Sequence, residues 1–198
     1  MPLLTYTPFI WPEIFAAAVM FGLLIYSERF KDVPETKYFQ IIMFFAAFWS
    51  LFFALSQAST TVEEKILLMK IWDPASLVVT IALFGLAASH YGKERWLTRR
   101  NIVLLSIVPA IVTVAVLTVD SNSLYIYDAY LIGTGVPYVF DYQLGIIYYL
   151  EAFYCYGLLI ASAALIIRSM MGVNPIYKNQ GAILLLGMSI PALAEALA

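Results

Sequence analysis

Six long apolar blocks separated by short polar connections constrain this chain more than any other feature. A hydrocarbon core of ~30 Å takes roughly 20 helical residues to cross, and the blocks near 9–26, 38–58, 66–90, 101–119, 142–168 and 180–198 are of that order. Within lipid the backbone must satisfy its own hydrogen bonds, which leaves helices or closed barrels. Barrel strands read as short alternating segments, whereas these blocks are continuously apolar. The expected fold is therefore an all-α membrane protein, a polytopic helical bundle with six visible spans. Composition agrees: 63% of residues are hydrophobic and 12% charged, against ~45–50% and ~25% in soluble domains. That excludes a soluble globule, a disordered tail and a nucleic-acid binder, for which a net charge of −2 supplies no basic footprint.

No Gly/Ser linker or internal repeat divides the chain, so residues 1–198 read as one domain. Met1 to Pro12 carry no Lys or Arg and no cleavage site follows, so the first block is not a signal peptide. The single cysteine, Cys155, cannot form an internal disulfide. Nine of the eleven basic residues fall in the first, third and fifth connections: Arg29, Lys31 and Lys37, then Lys93, Arg95, Arg99 and Arg100, then Arg168 and Lys178. The other side holds only Lys65 and Lys70. By the positive-inside rule the N-terminus is expected outside a cell membrane and the odd connections in the cytoplasm. The last block ends in PALAEALA without a flanking charge, so a seventh span is expected beyond it. Between the fourth and fifth blocks, SLYIYDAYLI and VPYVFDY flank Gly133-Thr134-Gly135. Two β-rich runs around a glycine turn suggest a small extracellular hairpin, the alternative being an irregular loop with interfacial tyrosines.

Several segments together carry a family likeness: FFAAFWSLFFALSQAS in the second block, LLMKIWDPASLVVTIALFGLAASHYGKERWLTRR in and after the third and VLLSIVPAI in the fourth. YYLEAFYCYGLLIASAALIIR in the fifth and YKNQGAILLLGMSIPAL in the sixth complete the set. Trp49, Lys70, Pro109, Gln180, Gly187 and Pro191 stand where that family usually has the same residue types. In these features the chain resembles the seven-transmembrane N-terminal sensor region of membrane histidine kinases. Trp72-Asp73-Pro74 replaces the more usual aromatic-glycine stretch. The resemblance implies a missing seventh helix and a cytoplasmic transmitter as partner, with a homodimer as the working unit. No glycine-rich ATP motif is visible, and the one histidine, His90, sits at a helix end, so no catalytic residue is expected here.

Charges inside spans cost on the order of 2.5–3.5 kcal/mol each on insertion scales and default to a functional reading. Glu13 opens the first span, Lys70 and Asp73 lie near the outer end of the third, and Glu195 lies near the outer end of the sixth. Glu151, nine residues into the fifth, would lie roughly 13 Å deep at 1.5 Å per residue. All five fall in the outer half, as a shared pocket for a small ligand would require. Lys70 and Asp73, three apart, share a helical face and can pair. Pro74 either kinks that helix or, with Asp73 as cap, starts it. Glu151 has Tyr148 and Tyr154 at i−3 and i+3. It is either a protonated structural carboxyl or, with those tyrosines, a ligand contact; Glu195 is either interfacial or part of the same site. Neither a metal set nor a cofactor is expected, since Cys155 has no second Cys or His near it. The leading reading is a sensor that binds a small molecule, or reports membrane state, in its outer half. A transporter or channel subunit would need charges along a through-pathway and inverted repeats. A retinal photoreceptor would need a lysine in a late helix, and the fifth and sixth spans have none.

Overall fold

The computed structural model describes residues 4–133, 137–171 and 178–188. Five segments in it are long and apolar enough to cross a membrane: Ile10–Phe30, Thr36–Ala58, Val62–His90, Arg99–Leu117 and Ile146–Met170. In chain order the helices are α1 (Ile10–Ser27), α2 (Thr36–Ala58), α3 (Val62–His90), α4 (Arg99–Leu105), α5 (Ile107–Leu117) and α6 (Ile146–Met170). Residues 178–188 are helical too, while the remainder of the sixth expected span, with Pro191 and Glu195, lies outside the described residues.

Three helix limits differ from the hydropathy reading, each for a local reason. Helix α3 starts four residues earlier than the apolar block, because Thr61 and Glu64 cap it. The Thr61 hydroxyl accepts from the Glu64 N–H at 3.3 Å, and the Glu64 carboxylate accepts from the Thr60 N–H at 3.1 Å. The first bond satisfies a donor that the opening helical turn leaves free, and the second ties the preceding Thr60 back onto that turn. Pro74 sits inside this continuous helix, which sets aside the reading of Asp73-Pro74 as its start. The fourth span is two helices broken at Ser106. Pro109 has no N–H to offer the carbonyl of Leu105, four residues back, so the helical ladder cannot close there. Helix α6 starts at Ile146 rather than 142, because residues up to Leu144 belong to a strand. Glu151 is thus only five residues past its first residue, about 7.5 Å along the axis rather than 13 Å.

Between α5 and α6 two strands, β1 (Ile126–Ile132) and β2 (Val139–Leu144), pair antiparallel, from Ile126 opposite Leu144 to Ile132 opposite Val139. The turn residues 134–136 lie outside the described residues. The register shifts between Tyr127 and Tyr130, where Asp128 adopts a left-handed φ of 51°. Two residues of β1 there oppose one of β2, the signature of a bulge.

Helix α3 is the centre of the bundle, packed against α2, α5 and α6, with α1 on the far side of α2. Towards the strand pair, Met69, Leu77, Val112, Val116, Tyr125 and Ile126 form a core. At the other end α3 becomes small-residued: Ala82, Gly85, Ala87, Ala88 and Ser89 are buried. A Cβ on Gly85 would stand 2.6 Å from the Tyr38 ring of α2, so any larger residue there displaces that ring. Phe15, Ile25, Phe153 and Ile160 face outward and are largely exposed, as a lipid solvent allows.

Candidate functional site

Helices α3 and α6 each bury one carboxyl near the strand-bearing end: Asp73 is 4% exposed and Glu151 9%. The side chain of Tyr125, one residue before β1, is inserted between them. Its hydroxyl oxygen lies 2.7 Å from Asp73 Oδ1 and 2.7 Å from Glu151 Oε2. Two such contacts need two hydrogens, and a phenol carries one. The second therefore sits on a carboxyl, and Asp73 and Glu151 together hold at most one negative charge in this geometry. Asp73 Oδ2 is buried and has no hydrogen-bond partner among the described residues.

Backbone geometry places Tyr125. Gly145, which precedes α6, donates its N–H to the Tyr125 carbonyl at 2.7 Å, and the Ile147 N–H reaches the Leu124 carbonyl at 2.9 Å. A Cβ on Gly145 would stand 2.2 Å from that Leu124 oxygen, so only glycine lets the two segments cross. The rings of Tyr125 and Tyr148 then meet at 5.9 Å. Burial first, and then the Asp73 and Glu151 carboxyls, push the Tyr125 phenol far up from its ordinary value. Tyr125 is thereby fixed as a neutral hydrogen-bond donor. Burial and the same carboxyls, together with Asp141, also raise Tyr142 of β2.

The other expected site residues go elsewhere. Lys70 does not pair with Asp73: it forms an ion pair with Asp120, a residue after α5. A lysine's long stem lets the ammonium reach a wetter partner, while the short Asp73 side chain stays in the core. The Tyr154 hydroxyl donates at 2.6 Å to the Leu105 carbonyl, the one Pro109 leaves open, so this tyrosine holds the broken span rather than Glu151. Glu13 Oε2 accepts from Ser50 of α2 at 2.6 Å. Glu195 lies outside the described residues. Tyr125, the residue that joins the two carboxyls, carries no sequence signal beyond its place in a tyrosine-rich loop. Among the described residues no group of three or more His, Cys, Asp or Glu could hold a metal ion.

Beside this cluster lies a cavity of about 250 Å³, lined by Phe53, Ser56, Lys65, Trp72 and β2 residues including Phe140 and Tyr142. Tyr142 thus adjoins both the cavity and the carboxyl pair.

Apolar helices joined by a buried polar cluster define a multi-pass helical membrane protein. The chain belongs to the family described as the N-terminal 7TM region of histidine kinase, whose family model matches residues 13–198. Comparison with curated proteins and with solved structures gives no match.

Proposed function

We propose that this chain is the sensor of a membrane signalling protein, receiving a small ligand at its strand-bearing end and passing the change to a cytoplasmic histidine-kinase-type transmitter. The excess of Lys and Arg in the odd connections supports an orientation with that end outside, together with the N-terminus. The observation that carries the reading is the Tyr125 bridge, by which the strand layer grips α3 and α6 at once. A sensor needs two helix arrangements that a ligand stabilises unequally. Here a shift of the strands withdraws one hydroxyl from two buried carboxyls, and both lose that hydrogen bond at once. Neither carboxyl is catalytic in this scheme; both are contacts that define a state.

The test is a fusion of the chain to a histidine-kinase transmitter, with autophosphorylation read in membranes. Glu151→Gln and Asp73→Asn keep size and hydrogen bonding, so both should insert normally and shift the basal kinase output. Unchanged output from both variants overturns the assignment.

A further inference from the structure

Two side chains that line the cavity beside the bridge, Lys65 and Trp72, carry hydrogen-bond donors that the described residues do not fully answer. Lys65, in the first turn of α3, is 2% exposed, yet it lines this space. Its ammonium donates to the Ser56 carbonyl at 2.6 Å. No carboxylate lies within 4.0 Å of it among the described residues. Glu64, its neighbour in sequence, is the anion that acts on it; one oxygen of that carboxylate, Oε2, accepts from the Thr60 N–H, and the other, Oε1, is buried with no hydrogen-bond partner among the described residues. A buried ammonium without an ion-pair partner is costly unless an anion joins it. The indole of Trp72 lines the same space, and its Nε1–H is buried with no acceptor among the described residues. Phe53 stands edge-on to Trp72 at 5.9 Å, and Tyr138, Phe140 and Tyr142 complete an aromatic wall.

From these groups we infer that the cavity binds a small carboxylate with a flat apolar body, the carboxylate on Lys65 and Trp72 Nε1–H and the body between the aromatic side chains. The volume of about 250 Å³ suits a compact molecule, since drug-sized sites begin near 300 Å³. A carboxylate answers both donors with its two oxygens and neutralises one charge. A phosphate would bring a second charge for which no further cation lines the cavity among the described residues. This assignment rests on the sensor reading and names the class of its ligand. Because Tyr142 forms part of the wall, an occupant would press on β2, and through its pairing with β1 on the segment just before β1 that holds Tyr125.

The experiment uses the 198-residue chain in phospholipid nanodiscs, titrated with phenylacetate, its neutral amide and octanoate while tryptophan fluorescence is followed. Phenylacetate should bind saturably, with the amide and octanoate at least about tenfold weaker. Lys65→Met should abolish the response and Trp72→Phe should weaken binding several-fold. If Lys65→Met fails to fold, Val139→Trp decides, because Val139 is 61% exposed and lines the cavity, so a larger side chain can fill it without entering the core. No saturation by about 10 mM, equal binding of acid and amide, tighter binding of octanoate, or binding unaffected by both Lys65→Met and Val139→Trp overturns the assignment. Such a failure leaves the kinase-fusion result for Glu151→Gln untouched, so the two readings fail separately.

Discussion

Tyr125 is a residue whose position depends on another residue having no side chain. Gly145→Ala must push the Leu124 carbonyl away from its 2.2 Å approach, at the about 1–3 kcal/mol typical of overpacking. The expected outcome is a lower melting temperature in detergent and the same shift of kinase output as Tyr125→Phe. Removing the Tyr125 hydroxyl leaves two buried carboxyl oxygens without it, which costs about 1–3 kcal/mol. The phenols of Tyr125 and Tyr142 are both raised above 10.0 in the folded chain. Above that value the unfolded chain loses these protons first, so stability is full below about pH 10 and falls as pH rises further. Tyr125→Phe should flatten this alkaline loss, measured as melting temperature against pH. The two carboxyls were legible in the sequence as ionisable groups inside apolar blocks. Their bridge was not, because Tyr125 is 52 residues from Asp73 and looks like its tyrosine neighbours.

Among the elements, the broken fourth span makes the clearest prediction. Pro109 opens the Leu105 carbonyl and Tyr154 of α6 closes it. Tyr154→Phe should cost about 1 kcal/mol, within the range of interhelical hydrogen bonds in membranes. In a Pro109→Ala background the restored N–H can serve Leu105 itself, so the same change should cost less. Equal costs in the double-mutant cycle would show that the pairing is incidental. Hydropathy located the first five spans because twenty apolar residues suffice for that. It misplaced limits where other physics rules: a capping pair extends α3, and a strand takes the residues before α6. The division at Ser106 was legible only as a proline.

At the scale of the molecule, the distribution of basic residues predicts which end meets the cytoplasm. In a Cys155→Ala background, Ser123→Cys should react with an impermeant thiol reagent in intact cells and Asp32→Cys should not. The reverse pattern inverts the topology. One further consequence comes from the length of α3. Its apolar stretch, residues 66–90, extends about 37 Å at 1.5 Å each, beyond a ~30 Å hydrocarbon layer. Such a mismatch is relieved by tilting or by stretching the surrounding lipid, at fractions of a kcal/mol per ångström. Because α3 carries Asp73, its tilt acts directly on the Tyr125 bridge. If the proposed sensor role holds, bilayer thickness is expected to act as an effector: fusions reconstituted in short-chain and long-chain phospholipids should differ in basal kinase output with no ligand present, and Asp73→Asn should blunt that difference.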